Sequence, residues 1–314
     1  MTSILVVSVL VILALAALPF FLEWRRTPMD RKARDAAPGQ FARLSDGVTH
    51  YQWHGPSRGP VAVCVHGITT PSFVFDGIVK GLVEKGYSVL TYDLFGRGFS
   101  DRPKADYNRD FHIRQLKELL ENQGISGHVM LVGYSMGGCV AMGQAGRMPD
   151  KIARLVLIAP AGLAHSVGGT ANFARNVPIL GDWVMQVFGG RRVVDDAQPS
   201  ETLPDLRDRM REQVQSRGFL RAVLSSYRNM VAGRCNSDLQ AMQRQGLPIL
   251  AIWGEDDAII PSSAREKMAA LNPDVRHVVI PGAGHAVPHS HARQVATAMD
   301  QFLREDASGG RGAS

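Results

Sequence analysis

The chain has 314 residues, 45% of them apolar, and a formal net charge of +6. That length accommodates one large domain plus an appended segment, with a core that needs no disulfide staples. Its three cysteines lack metal-ligand spacing and imply no disulfide framework, in keeping with a reducing compartment, and the modest charge is too local for a nucleic-acid surface.

Ile4 to Leu22 is a run of about nineteen residues without a charge. At about 1.5 Å per helical residue it spans close to a hydrocarbon core of about 30 Å. Trp24 follows at an interfacial position, and Arg25, Arg26, Arg31, Lys32 and Arg34 form the densest basic cluster of the chain. Attraction to anionic headgroups explains that cluster more simply than nucleic acid does. The expectation is an uncleaved single-pass anchor over residues 1–26, a basic linker over 27–39 and a catalytic domain on the cytoplasmic side. The rival is a signal peptide leading to a secreted or periplasmic protein. It lacks a basic residue before the run, and Ala14-Leu15-Ala16 is a poorly placed cleavage signal. A buried core helix would show periodic polarity, which is absent.

Gln40–Leu44 and Val48–Trp53 flank Asp46-Gly47 as a hairpin. Val61–Val65 begins a series of apolar strands, followed by His66-Gly67-Ile68-Thr69-Thr70. Phe75–Lys85 reads as a helix, Ser88–Tyr92 as a strand and Arg109–Asn122 as an amphipathic helix. The strand-like run His128–Val132 leads into Gly133-Tyr134-Ser135-Met136-Gly137, a G-x-S-x-G pattern with a helix after it. A sharp strand-to-helix turn lifts the serine hydroxyl out, and small residues two before and two after it allow the bend. The helix start aims unpaired N–H groups at the place where an oxyanion would form. Ser135 is the expected nucleophile and the Met136 amide an oxyanion donor.

Arg154–Ala159 is another buried parallel strand. From Gly162 to Gln245 the alternation stops, and short helical pieces carry Phe173, Ile179, Leu180, Trp183 and Phe188 between Gly and Pro breaks. So long an insertion is unusual unless functional. Leu247–Gly254 then runs into Glu255-Asp256-Asp257, and Val275–Ile280 into a Gly-rich turn ending in His285. A serine needs a base, and the base an orienting carboxylate. On residue type alone, Glu255, Asp256 and Asp257 compete for the acid, and His285, His289 and His291 for the base. Asp306 to Ser314 reads as a disordered tail.

These blocks, in this order, resemble the α/β-hydrolase fold enzymes from about Val61 to Leu303. The matching motifs are His66-Gly67, Asp93-Leu94-Phe95-Gly96-Arg97-Gly98-Phe99-Ser100, the serine elbow, Trp253-Gly254-Glu255-Asp256-Asp257 and Gly282-Ala283-Gly284-His285. The resemblance implies a mostly parallel, doubly wound α/β sheet over residues 40–161 and 246–305, with a helical cap inserted over 162–245. It selects Asp257 and His285 as partners of Ser135, makes Ile68 the second oxyanion donor through its backbone N–H, and leaves His66 and the Asp93 motif mainly structural. Relatives that open epoxides or displace halide carry aspartate at the elbow. The serine therefore implies acyl transfer.

Together with the anchor and the apolar cap, the resemblance extends to monoacylglycerol lipases and related acyl-lipid hydrolases. It implies cleavage of carboxylic esters of lipid-like substrates, with no metal or organic cofactor and no nucleic-acid partner. Alternatives are a hydrolase of thioester, lactone, amide or diketone carbon–carbon bonds on the same fold, and a non-catalytic binding module. Acyl length, headgroup and oligomeric state are not encoded in any motif.

Overall fold

The computed structural model describes residues 2–166, 168–230 and 235–309. Among these, eight strands form one sheet. They are β1 (Gln40–Leu44), β2 (Gly47–His54), β3 (Val61–Val65), β4 (Ser88–Tyr92), β5 (Val129–Tyr134), β6 (Ile152–Ile158), β7 (Ile249–Gly254) and β8 (Arg276–Ile280). The spatial order is β1-β2-β4-β3-β5-β6-β7-β8. β1 and β2 form the expected hairpin, β2 joins β4 antiparallel, and every pairing from β4 to β8 is parallel. The chain enters the parallel part at β3, steps to β4 on one side and then crosses to β5 on the other. The loops leaving β3 and β5 therefore diverge, opening a crevice at the carboxyl ends of the strands.

The helices in chain order are α1 (Thr2–Arg25), α2 (Arg31–Arg34), α3 (Asp76–Glu84), α4 (Arg109–Asn122) and α5 (Met136–Arg147). Next come α6 (Gly169–Asn176), α7 (Leu180–Val184), a π-helical turn Met185–Gly189, α8 (Gly190–Asp195), α9 (Leu206–Val214), α10 (Phe219–Asn229) and α11 (Asn236–Arg244). After β7 the chain adds α12 (Ser262–Leu271), α13 (Val287–Ser290) and α14 (Ala292–Gly309). Successive strand residues face opposite layers. Val63, Leu90, Leu131 and Leu155 pack with Leu116 of α4, Val140 of α5 and Met268 of α12, all buried. Ala62, Val89, Met130 and Val156 pack on the other face with Ile78 of α3 and Val295 of α14. Covered on both faces, these strands carry no polar alternation, which is why they read as continuous apolar runs.

The segment from α6 to α10 builds its own small core of Met185, Leu203, Leu206, Met210, Phe219, Leu220 and Val223. Ile68 and Phe73, from the loop after β3, pack onto it, so this layer lies over the carboxyl ends of the strands. Phe219 and Leu220 are fully buried, and each contributes about 1.5–3 kcal/mol of apolar burial. α11 falls within the stretch expected to be cap, yet its Leu239 and Met242 join the main core beside α5.

α1 projects from the body with its side chains from Ile4 to Leu15 exposed. Its C-terminal half meets the protein, packing on the π-helical turn Met185–Gly189. The linker after it is not free. Thr27 bridges to Ser216, with Thr27 N donating to Gln215 O at 2.9 Å and Arg217 N to Thr27 O at 2.8 Å. Two arginines expected to face lipid headgroups are committed elsewhere. Arg26 is buried against Glu23 and Gln186, and Arg34 pairs with Asp101 at 2.5 Å. At the other end, α14 continues to Gly309, four residues into the expected disordered tail; residues 310–314 lie outside the described residues.

Beneath the crevice, Asp93 organises the loop after β4. Its carboxylate accepts from His50 Nδ1 (2.7 Å), Ser72 N (3.0 Å), Ser72 Oγ (2.7 Å) and Phe99 N (3.0 Å). Gly98 sits at φ +54° directly over this carboxylate, where any side chain would collide with it. Burial alone would raise the Asp93 pKa, but the His50 hydrogen bond and charge hold it far below the usual range. Burial likewise opposes protonation of His50, and the bond and charge of Asp93 outweigh it, raising its pKa. The pair is therefore strongest between about 3.8 and 6.5, the ordinary values of the two groups. It weakens as pH falls through the depressed Asp93 value or rises through the raised His50 value. Asp93→Ala leaves buried donors unpaired and is expected to cost about 3–5 kcal/mol, a fall of about 10 °C in Tm. Thermal melts should show a larger loss near pH 6 than near pH 9.

Candidate active site

β5 ends at Tyr134, and Ser135 turns into α5 with φ 51° and ψ −118°. A positive φ is uncommon outside glycine and persists only where surrounding structure holds it. Here Ser135 N donates to Ile158 O at 2.9 Å, and Ser135 O accepts from Gly138 N (2.9 Å) and Ala161 N (3.0 Å). Gly137 allows the bend, since a side chain there would strike the Val65 carbonyl. The hydroxyl is thereby lifted to the mouth of the crevice at the amino end of α5.

The two partners arrive from the ends of β7 and β8. Ser135 Oγ lies 2.9 Å from His285 Nε2, and His285 Nδ1 lies 2.8 Å from Asp257 Oδ2. Asp257 Oδ1 accepts from Ile259 N (2.8 Å) and Ile260 N (2.9 Å), so the turn after β7 fixes the carboxylate. Desolvation pushes its pKa up, but His285 and these two amides bring it below the usual value, keeping Asp257 ionised. An ionised carboxylate on Nδ1 selects the tautomer with Nδ1–H and leaves Nε2 free to accept the serine proton. Tyr134 Oη also donates to His285 O at 3.1 Å.

The competing acids and histidines sit elsewhere. Glu255 and Asp256 are exposed turn residues, with Glu255 accepting from Gly282 N at 3.0 Å. His289, in α13, is buried, bonded to Ser200 Oγ at 3.1 Å, and its pKa is lowered to about 4 by burial. His291 follows α13 and contacts Ser290 Oγ at 2.9 Å.

Met136 is the first residue of α5, where backbone N–H groups lack intrahelical acceptors. Ile68 lies on the loop after β3, beside the nucleophile: a Cβ built on Gly67 would stand 3.4 Å from Ser135 Cβ. His66 is fully buried, and burial lowers its pKa to about 4. Its Nε2 accepts from Leu94 N at 2.9 Å, so the ring proton resides on Nδ1, which donates to Gly67 O at 2.8 Å. In a trans peptide the C=O and N–H point opposite ways. Holding the Gly67 carbonyl therefore also sets the direction of the Ile68 N–H.

Two pairings were not visible in the sequence, although Arg97 stands in a motif read there as structural. Arg97 is fully buried, with its pKa lowered to about 10 by burial, and donates to Ile68 O (2.9 Å), Phe95 O (3.1 Å) and Ser226 Oγ (2.8 Å). It thus ties the Ile68 loop to α10. The thiols of Cys139, one turn into α5, and Cys235, before α11, lie 3.3 Å apart. Only a pairing of distant residues reveals either. Among the described residues, no group of three or more His, Cys, Asp or Glu side chains is placed to hold a metal ion.

A model of the alpha/beta hydrolase family matches residues 62–298. The chain is 30% identical over 266 residues to a haloalkane dehalogenase of Mycobacterium marinum, covering 82% of this chain and 84% of that protein. It is 27% identical over 297 residues to an uncharacterised protein of Mycobacterium tuberculosis, covering 87% and 84% respectively. Among solved structures, the enol-lactonase from Burkholderia xenovorans superposes with a TM-score of 0.69 at 21% identity, covering 84% of this chain and all (100%) of that one.

Proposed function

This chain belongs to the alpha/beta hydrolase family, and we propose that within it the protein is a membrane-anchored serine hydrolase cleaving carboxylic esters of lipid-like substrates. The observation that carries the reading is the relay from Asp257 through His285 to the strained Ser135. His285 takes the hydroxyl proton as Ser135 Oγ attacks the ester carbonyl. The Met136 and Ile68 amides receive the oxyanion, and losing such a donor typically costs about 10²–10³ in rate. His285 then protonates the departing alcohol, and later draws a proton from the water that releases the acyl group. A serine in place of a carboxylate argues against halide displacement. Attack on a haloalkane would leave an ether that this relay has no means to hydrolyse, so the enzyme would not turn over.

The lipid-like substrate and the membrane are supported by α1, an apolar helix of 24 residues. Arg25, Arg31 and Lys32 on its C-terminal side favour a cytoplasmic catalytic domain. The bond from the Trp183 indole to the Leu15 carbonyl, which cleavage near Ala16 would remove, favours a retained helix over a cleaved signal.

A panel of esters of graded chain length, assayed beside matched thioesters, lactones and ring-cleavage diketones, tests the substrate class. Each methylene entering an apolar pocket adds about 0.8 kcal/mol, so kcat/KM should rise about 200-fold from four to eight acyl carbons. Faster turnover of any non-ester than of its matched ester would defeat the proposal. Fractionation with N-terminal sequencing tests the anchor; a soluble chain starting near Ala16 would refute it.

A further inference from the structure

α1 contains Pro19, which has no N–H to give to the carbonyl four residues earlier, that of Leu15. That carbonyl is not left bare. The indole Nε1–H of Trp183, at the end of α7, donates to it at 2.8 Å. In hydrocarbon every backbone polar group must find a partner within the protein, so this bond is what a helix broken by proline requires there. Below it, Arg26 joins Glu23 to the side chain and carbonyl of Gln186, Glu23 accepts from Gly218 N at 2.6 Å, and Arg217 reaches Trp24 O at 2.6 Å. The apolar helix and the cap are therefore docked at two levels.

The cap residues at this contact are apolar and outward-facing. Ile179 is 86% exposed, and Leu180 and Phe188 are each 54% exposed. Ile179 has φ 64° and ψ −65°, closed by a bond from Leu180 N to Pro178 O at 2.7 Å. This is a γ-turn of the strained, positive-φ kind, an outlier for a β-branched residue. It holds the isoleucine at the apex of the cap. The nearest acid, Asp182, is engaged by Arg228 at 2.9 Å and by Ile179 N at 3.1 Å, so the apex carries no unpaired charge from that side chain.

Leu15 lies ten residues before Arg25, about 15 Å along the helix. A bilayer that keeps Arg25 among the headgroups therefore buries the Leu15 carbonyl deep in a core of about 30 Å. One indole cannot reach that carbonyl from the water. We propose that the cap apex formed by Ile179, Leu180, Trp183 and Phe188 is a second membrane-contacting surface, seated among the acyl chains of the leaflet that α1 leaves. This rests on the reading of α1 as a membrane span.

The test uses the full chain in phosphatidylcholine vesicles doped with nitroxide-labelled lipid. A nitrobenzoxadiazole label is placed singly at Leu10→Cys, Ile179→Cys or Glu121→Cys, the last on the exposed end of α4. Quenching of more than half the emission at both Leu10 and Ile179, with little at Glu121, is the expected result. Quenching at Leu10 but not at Ile179 overturns the proposal and leaves the anchor standing. No quenching at Leu10 removes the anchor, and the proposal with it. A second measurement addresses the docking bond. Trp183→Phe should lower Tm and the Ile179 quenching, and Pro19→Ala, which restores a donor to Leu15, should at least halve the loss of Tm. An equal loss in both backgrounds would refute the role assigned to the Leu15 carbonyl.

Discussion

Ser135→Ala is expected to lower kcat for esters by at least about 10⁴-fold and to abolish labelling by fluorophosphonates. The hydroxyl's partner in the structure is His285 Nε2, and the elbow's backbone bonds run through Ser135 N and O, which alanine keeps. Circular dichroism and Tm should therefore stay those of the parent. Residues that act as one unit are not additive, so His285→Ala on top of Ser135→Ala should remove little more. A variant that is folded, labels fully and retains turnover would show that the nucleophile lies elsewhere.

Asp257→Asn is expected to be nearly as damaging, costing about 10⁴-fold in kcat, for a reason specific to this turn. Oδ1 of Asp257 is already taken by the Ile259 and Ile260 amides. An asparagine must keep its carbonyl oxygen there and so presents its NH₂ to His285 Nδ1. The ring proton then moves to Nε2, and the base can no longer accept from Ser135. Asp256→Asn, exposed beside it, should cost less than about tenfold, within the range of a surface change. Steady-state kinetics on the two variants decides between them, and similar losses would reassign the acid.

The sheet was legible because strands buried on both faces leave a local signature. Val61–Val65 and Ser88–Tyr92 need no partner to be recognised as strands. Arg109–Asn122 was legible through its apolar stripe; the Asn108 side chain that caps it, accepting from Phe111 N at 2.9 Å, was found only in the structure. The elbow and the Asp257 and His285 positions lie in short motifs, and the structure brings their three side chains into hydrogen-bond contact. What stayed hidden depends on distant pairing. Arg26 and Arg34 belong to a run that reads as lipid-facing until Gln186 and Asp101 come beside them. Arg97 gave no sign that it would join the Ile68 loop to Ser226, and Cys139 and Cys235 no sign that their thiols would touch. The tail from Asp306 reads as disordered because glycine and serine dominate its composition, yet α14 carries its helix on to Gly309. A helix already nucleated extends through poor formers at a cost of only about 1 kcal/mol or less per residue, which composition alone does not register.

The Trp183–Leu15 bond joins residues 168 positions apart, and that separation dictates an order of biosynthesis. At about 5–20 residues per second, a ribosome needs about 10–30 s after making Leu15 to deliver Trp183. Throughout that interval α1 exists with its Pro19 break unsealed. Maturation of this protein thus includes a late step, the arrival of the cap on a helix already made, and nascent chains arrested before residue 183 should carry α1 in an undocked, more protease-sensitive form.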